Sequence, residues 1–277
     1  MNDKPLNGKA IYSPKGKALE YAKYAVNFYV GCSNDCDYCY CKRGVLGHAM
    51  GAPKATLKKC FKDEIDAMLT FERELTKHME EIRPHGLFFT FSSDPMLANT
   101  RKLTIQAVDF AIRNDIPCKI LTKRADFISS LPQWWSFREY RGNIAFGFTL
   151  TGHDELERGA STNRQRINAM RKLYKMGFKT FASIEPIISI ARSYCMIAQA
   201  LPYCDLFKIG LLSGKKEYTR KQVTDFFDEM MKEFDQYPKP VKVYWKDSVC
   251  EYIEVSHEEM RALYPDIIVE SDYNLFK

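Results

Sequence analysis

The chain contains no segment that resembles an export signal or a membrane anchor. Residues 1–10 are polar and lack the apolar core of a signal peptide. No uninterrupted apolar run approaches the roughly 18 residues that a transmembrane helix needs. The nine cysteines are therefore expected in a reducing compartment, where a tight cysteine group binds metal more often than it forms disulfides. These absences predict a cytoplasmic protein without a membrane partner.

Signatures of several other protein classes are also missing. There is no internal repeat, no low-complexity stretch and no polybasic run. The net charge of +6 is a mild basic excess, which permits a nucleic-acid partner without requiring one. No glycine-rich phosphate-binding motif follows the first apolar segment, which argues against a dinucleotide-binding fold. A hydrophobic fraction of 45% and a charged fraction of 27% are ordinary for a globular protein of 277 residues.

What the sequence does contain is an alternation of short apolar runs with segments of helical spacing. The β-prone runs are nearly continuous in apolar residues, as in parallel strands that are buried on both faces. They occur at 25–30, 86–91, 118–121, 144–150, 179–184, 206–212 and 241–245. Helical spacing occurs at 56–81, 101–114, 163–176 and 220–235. This pattern predicts an α/β protein built on a partial (β/α)6 TIM-like barrel with parallel strands.

No linker that would separate two domains is apparent in the sequence. We therefore expect one domain with short extensions, in which residues 25–215 form the core barrel. Residues 1–24 are an N-terminal extension, and residues 216–277 are a C-terminal helix and strand extension packed on the core. The active site of such a barrel lies at the carboxyl ends of its strands.

Three cysteines with gaps of three and two residues follow the first apolar run. Cys32, Cys36 and Cys39 place three thiolates on one tight loop. Soft thiolates suit iron–sulfur clusters, zinc or copper(I). A four-iron cluster usually takes four cysteines, so three leave one iron open unless Cys41 binds it. An open metal position is what a catalytic centre needs.

Two other interpretations of the loop remain. A structural zinc site would pair two cysteine knuckles, but no second C-x-x-C occurs downstream. His48, nine residues after Cys39, is a candidate fourth zinc ligand. Alternatively, the thiols bind no metal and pack as small apolar groups. The five remaining cysteines show no C-x-x-C spacing, so we expect no second cluster.

The loop and four downstream motifs together resemble the radical SAM (S-adenosylmethionine) superfamily. Within it, they resemble the branch of spore photoproduct lyase and its uncharacterised relatives. The matching stretches are GCSNDCDYCY at 31–40, FSSDP at 91–95, ILTK at 120–123, GFTLT at 147–151 and SIEPI at 183–187. They follow the family's order over residues 25–215.

The resemblance implies a cofactor set and an overall reaction. Cys32, Cys36 and Cys39 would hold a 4Fe–4S cluster, whose open iron chelates the amino and carboxylate groups of SAM. One electron, from a donor such as flavodoxin or ferredoxin, would split SAM into methionine and a 5′-deoxyadenosyl radical that abstracts a substrate hydrogen atom. The protein's part is then to orient the reactants and exclude side reactions.

The resemblance also assigns roles to individual side chains. Ser92, Ser93 and Asp94 follow the second strand, where the family contacts the amino group of SAM. Lys123 would meet the carboxylate or ribose of SAM, and Thr149, or else Thr151, would bind the ribose. Tyr38 and Tyr40 are catalytic candidates, because they match tyrosines that flank the last cluster cysteine in the spore enzyme.

Glu185 is a further catalytic candidate because of its position in the sequence. It lies between apolar strand residues and Pro186, an unusual place for a carboxylate without a partner. We expect it to face the substrate pocket.

The substrate of the spore enzyme does not carry over to this chain. Phe91 stands where that enzyme has the cysteine that returns a hydrogen atom, so repair of a thymine dimer is not implied. A nucleic acid or a nucleotide, repaired or modified, is the substrate class that we expect. The alternatives are an activase that places a glycyl radical on a partner protein and a non-catalytic, zinc-stabilised nucleic-acid-binding module.

Overall fold

The structure is a computed structural model, and it describes residues 5–214 and 217–277. Ten strands are present in these ranges, namely β1 (Ile11–Tyr12), β2 (Ala25–Val26), β3 (Tyr29–Val30), β4 (Thr56–Leu57), β5 (Leu87–Phe89), β6 (Cys118–Thr122), β7 (Ile144–Thr149), β8 (Lys179–Ile187), β9 (Leu206–Leu211) and β10 (Lys242–Trp245). The α-helices are α1 (Gly44–Met50), α2 (Glu64–Lys77), α3 (Met79–Ile82), α4 (Arg101–Arg113), α5 (Arg138–Arg141), α6 (Asn163–Lys175), α7 (Ile190–Ala200), α8 (Arg220–Gln236), α9 (Asp247–Ile253) and α10 (His257–Leu263). None of the helices in the described ranges has the length and apolar character to cross a membrane.

Eight of the strands form one sheet in the order β1-β2-β5-β6-β7-β8-β9-β10. β1 pairs antiparallel with β2, and every later pair in the sheet is parallel. The strand order follows the chain order without reversal, unlike a doubly wound sheet, whose order reverses at a switch point. This topology confirms the prediction of a partial TIM-like barrel of parallel strands. β3 and β4 form a separate antiparallel pair.

Local signals in the sequence explain where the helices begin. Thr162 accepts a hydrogen bond from the backbone N–H of Gln165, whose side chain reaches back to the backbone of Thr162. The same reciprocal cap opens α8 at Thr219. The expected helix over 56–81 was wrong in its first part, because Asp63 caps a helix that begins only at Glu64 and the preceding residues pair as β4.

The barrel sheet has a different core on each face. Its outer face packs on the helices in one large apolar cluster that includes Ile120, Phe146, Phe207 and Trp245. A second, smaller cluster joins Phe88, Ala145, Phe181 and Tyr244 of the strands to Tyr21 and Leu275 from the two ends of the chain. Because side chains alternate along a strand, this second cluster lines the concave face, and both chain ends cover that face.

Polar groups hold the two chain ends in the concave face. The buried Nζ of Lys208, on β9, donates to the carbonyl oxygen of Glu20 and to that of Ser271, at 2.8 Å for the latter. β10 pairs with β9 at the edge of the sheet, although β10 lies in the segment that was expected to be a C-terminal extension. Residues 242–245 therefore supply a strand of the barrel sheet as well as packing on it.

Candidate functional site

The cysteine loop leaves β3 through a backbone turn that requires glycine. Gly31 has a φ of +83°, and a Cβ there would lie 2.5 Å from the carbonyl oxygen of Lys54. The N–H of Cys32 then donates to the carbonyl oxygen of Ala52 at 3.0 Å. The loop ends in a short 3-10 helix at Tyr40–Lys42. The three cysteines expected to bind the cluster thus stand on one loop, with Cys36 buried and Cys32 and Cys39 partly exposed.

The environments of the three thiols differ. Burial raises the pKa of Cys32 to about 12, and the Asp94 carboxylate adds to that effect. Burial also raises the pKa of Cys36. The pKa of Cys39 is lowered because the neighbouring Cys41 thiol hydrogen-bonds to it. The ammonium of Lys123 lowers the pKa of all three.

Asp94 ties the cysteine loop to the carboxyl ends of β5 and β6. Its Oδ2 accepts from the Asn34 side chain at 2.7 Å and from the backbone N–H of Lys123 at 2.8 Å. Its Oδ1 accepts from the Thr122 hydroxyl at 2.6 Å and from the N–H of Met96 at 2.9 Å. Both oxygens of Asp94 thus accept hydrogen bonds from protein groups, and Asp94 fixes the loop through them. The contact to SAM expected of Asp94 stays a prediction.

The segment that follows β7 holds the loop from the other side. Cys36 and Glu157 form an antiparallel backbone bridge, and the N–H of Asp37 donates to the carbonyl oxygen of Leu156 at 2.9 Å. A Cβ on Gly159 would lie only 1.9 Å from the carbonyl oxygen of Ser33. This close backbone contact requires glycine at position 159.

A buried charge network lies under this contact. The Tyr38 hydroxyl donates to Oε1 of Glu157, and Arg166 donates to Oε2. Arg166 also donates to the carbonyl oxygens of Thr149 at 2.6 Å and Ser161 at 2.7 Å. The side chains of Arg166 and Glu157 are fully buried. Tyr38 therefore contacts a carboxylate that is held by an arginine.

Lys123, at the end of β6, completes the network. Its Nζ lies 4.0 Å from Oε1 of Glu157 and 5.4 Å from the centre of the Tyr38 ring. Burial disfavours its charge, but Tyr38, Cys36 and Glu157 outweigh this and raise the pKa of Lys123 well above the usual value. The side chain thus remains an ammonium beside the cysteine loop.

The other expected SAM contacts lie close to the same strand ends. The Ser92 hydroxyl donates to the carbonyl oxygen of Tyr29 at 2.6 Å, so it helps to hold β3. Ser93 Oγ is buried and has no partner among the described residues, and the same is true of Asn34 Oδ1. Thr149 is buried at the end of β7, where its carbonyl oxygen accepts from Arg166.

Tyr40 and Phe91 connect the loop to the concave face. The Tyr40 hydroxyl donates to the carbonyl oxygen of Phe91, and the Cys41 thiol lies 3.7 Å from the same oxygen. The Phe91 ring stacks on Phe88 at 4.5 Å and meets Tyr21 edge-on at 6.1 Å. Phe91 therefore joins the loop to the barrel interior through its backbone and its ring together.

Glu185 is bound to other protein groups. Lys246 Nζ donates to its two oxygens at 2.9 and 2.8 Å, and the Tyr21 hydroxyl donates at 2.6 Å. Lys246 also pairs with Glu20 at 3.0 Å. The sequence did not identify a partner for Glu185, and the structure provides two. Tyr21 comes from the N-terminal extension and Lys246 from the C-terminal extension.

The residues present fit a cluster and a bound SAM molecule. Three thiols stand on one loop, and two buried polar atoms, Asn34 Oδ1 on that loop and Ser93 Oγ next to Asp94, have no partner within the described part of the chain. A buried acceptor of that kind is matched by an amino donor such as that of SAM. Within the described ranges no three His, Cys, Asp or Glu side chains converge as a single metal ion requires.

Several residues of the site were not identified from the sequence, namely Tyr21, Asn34, Glu157, Arg166 and Lys246. Arg166 had a usable signal, since it shares a helical face with Met170 and Leu173 and so places a charge in an apolar stripe. Glu157 and Tyr21 lie in irregular segments, and no periodicity indicates their burial.

The chain was compared with protein-family models, with curated proteins and with solved structures. No protein-family model matches the chain. The chain is 23% identical over 198 residues to the uncharacterized protein MJ0683 of Methanocaldococcus jannaschii, which covers 70% of this chain and 72% of that protein.

Among solved structures, the chain is similar to SuiB of Streptococcus suis. The structure of SuiB bound to S-adenosylmethionine has a TM-score of 0.55 and 13% identity, with 85% of this chain and 54% of that chain covered. SuiB bound to its precursor peptide SuiA has a TM-score of 0.53 and 12% identity, with 86% and 55% covered. The chain thus spans about half the length of SuiB. At these identities the comparison establishes that the two proteins share a fold.

Proposed function

We propose that this chain is a radical SAM enzyme that holds a 4Fe–4S cluster on Cys32, Cys36 and Cys39. One observation carries the proposal: three thiols stand on a single loop that is fastened to the carboxyl ends of three parallel strands. The carboxyl ends of barrel strands are where such folds place their chemistry. A protein that shares this fold, SuiB, has been solved with S-adenosylmethionine bound.

The chemistry that the cluster supplies when bound is the one-electron cleavage of SAM, which gives a radical able to abstract a hydrogen atom. The chain's own residues prepare the site for that chemistry. Asp94 and Glu157 fix the loop from two sides. Asn34 and Ser93 offer unpaired polar atoms to the amino group of SAM. The rings of Phe88, Phe91 and Tyr21 pack against one another, and the Phe91 backbone contacts the loop; such an apolar surface would keep water away from a reactive intermediate.

The direct test of this function is formation of 5′-deoxyadenosine. Anaerobically reconstituted protein, reduced with dithionite in the presence of SAM, is expected to form 5′-deoxyadenosine and methionine. The Cys36→Ala variant is expected to form none, and the exposed Cys60 gives a matched control as Cys60→Ala. Wild-type protein that carries a cluster but does not cleave SAM would refute the proposal, as would cleavage by Cys36→Ala.

For the substrate we propose a nucleic acid or a nucleotide, and for the electron donor a partner such as flavodoxin or ferredoxin. The support is the distribution of charge: residues 5–62 carry ten Lys and Arg against three Asp and Glu, whereas the whole chain has a net charge of +6. The basic excess thus lies in the segment that contains the cysteine loop. Lys17 and Arg43 from this segment both bind Ser213, just beyond β9.

The substrate proposal is tested by adding candidate substrates to the SAM cleavage assay. Oligonucleotides are expected to accelerate cleavage, with an effect that weakens as salt is raised. Deuterium exchange between the oligonucleotide and 5′-deoxyadenosine would identify the hydrogen donor. If only an added protein accelerates cleavage and acquires a radical, the chain is an activase and the nucleic-acid proposal fails.

A further inference from the structure

Lys123, for which the family resemblance implies a contact to SAM, is surrounded by protein groups that carry charge. Its ammonium lies over the Tyr38 ring and 4.0 Å from Glu157, with only 19% of its side chain exposed. Its backbone N–H donates to Asp94, and its carbonyl oxygen accepts from Ser161 at 3.0 Å. Backbone contacts on both sides therefore hold Lys123 between the cysteine loop and the segment after β7.

The charged groups next to Lys123, Glu157 and Arg166, are buried. Glu157 is fully buried between the two cations Lys123 and Arg166. Cys36 is bridged to Glu157 through the backbone, and Tyr38, which directly precedes Cys39, bonds to Glu157 through its hydroxyl. Lys123 and Glu157 therefore lie next to the loop that carries the three cysteines. Buried charges are poorly screened, so they act strongly on a neighbouring redox centre.

We propose that the buried Lys123–Glu157 pair sets the reduction potential of the cluster: the ammonium stabilises the reduced cluster and the carboxylate opposes it. Lys123 thus acts on the cluster through its positive charge and is a positioning residue. Glu157, which is held by Arg166, acts through its negative charge in the opposite direction. This inference rests on the proposed function, because it requires a cluster on Cys32, Cys36 and Cys39.

The two members of the pair predict shifts of opposite sign. Lys123→Met removes a positive charge that stabilises the added electron of the reduced cluster, so the reduction potential of the cluster falls. Glu157→Gln removes a negative charge, so the potential rises. We expect each change to alter the reduction equilibrium about tenfold, which is about 59 mV for a one-electron couple. Lys42→Met is the matched control, since Lys42 follows the same loop but is exposed and paired with Asp35 at 2.5 Å; solvent screens such a pair.

The experiment is a redox titration of the reconstituted proteins, followed by electron paramagnetic resonance, with SAM affinity measured in parallel. Iron content and circular dichroism are checked first. Glu157→Gln also removes the carboxylate that pairs with Arg166, so this variant can fail to fold. In that case the potential of Lys123→Met alone tests the inference. Opposite shifts with an unchanged Lys42→Met potential support the inference.

Three results would overturn it. The first is an unshifted potential in Lys123→Met, and the second is a shift of the same sign in both variants. The third is a comparable shift in Lys42→Met. Weaker SAM binding by Lys123→Met at an unchanged potential would restore the role expected from the sequence, a direct contact to SAM. A wild-type chain that takes up no cluster refutes the proposed function as well, whereas a loaded cluster with unshifted potentials refutes this inference alone.

Discussion

Arg166 illustrates how a single buried side chain organises its surroundings. Its guanidinium donates to Glu157 and to the carbonyl oxygens of Thr149 and Ser161, so it joins the end of β7 to the segment under the cysteine loop. Removing one member of a buried ion pair leaves the other charge without compensation, which costs far more than the loss of an exposed pair.

We therefore expect Arg166→Met to lower the free energy of unfolding by about 3–5 kcal/mol, as measured by urea denaturation. Arg164, exposed on the same helix, supplies the control Arg164→Met, for which we expect a change below about 0.5 kcal/mol. Equal, small losses in the two variants would show that the buried pair does not contribute as described.

Lys119 predicts how stability depends on pH. Its side chain is buried in the concave face, with one hydrogen bond, to the carbonyl oxygen of Tyr21 at 3.4 Å. Burial lowers the pKa of Lys119 to about 8 from an ordinary value near 10.5. Between these two values the unfolded chain binds more protons than the folded one, so this group makes stability rise with pH across that window.

At pH 7 the folded protein carries the full cost of the buried ammonium. We expect Lys119→Met to stabilise the protein there by up to about 3 kcal/mol. The gain should shrink between pH 8 and 10.5 in denaturation curves. The exposed Lys102 gives the control Lys102→Met, whose stability should follow the wild type at every pH. A gain for Lys119→Met that stays constant through this window would refute the assignment.

The contact between the cysteine loop and the segment after β7 is the arrangement of elements on which the site depends. Gly159 allows it, because any side chain there would meet the carbonyl oxygen of Ser33 at 1.9 Å. Gly159→Ala should push the two segments apart at a cost of about 1–3 kcal/mol and reduce the iron retained after reconstitution.

The matched control for that variant is Gly142→Ala. Nothing lies within 4 Å of a Cβ at Gly142, and its φ is not in the left-handed region, so we expect wild-type iron content and thermal midpoint. Iron content in Gly159→Ala equal to that in Gly142→Ala would show that the contact does not support cluster binding.

At the level of whole elements, the sequence predicted most of what the structure contains. The apolar runs correctly located the parallel strands of the barrel sheet, β2 and β5 to β10, because parallel strands buried on both faces consist largely of apolar residues. The short antiparallel strands β1, β3 and β4 were not identified as separate strands. The helix expected from residue 56 was misplaced because helical spacing continued through β4, and only the Asp63 cap marks the true start.

At the scale of the whole molecule, the interior of the barrel could not be predicted. Lys208 meets Glu20 and Ser271, and Glu185 meets Tyr21 and Lys246. These partners are separated by up to 188 residues in the sequence, and sequence periodicity carries no information about such pairings. The expectation that Glu185 faces the substrate stays a prediction. A substrate that contacts Glu185 would have to accommodate or displace Tyr21 and Lys246, which bind its carboxylate.

The central claim is that three cysteines of one loop hold a cluster. The most direct test is the iron and sulfide content of anaerobically reconstituted protein, compared among wild type, Cys36→Ser and the exposed-cysteine control Cys60→Ser. We predict about four irons and four sulfides per chain in wild type and Cys60→Ser, and a loss of most of both in Cys36→Ser. Stoichiometric zinc without sulfide in wild type, or full iron content in Cys36→Ser, would contradict the account.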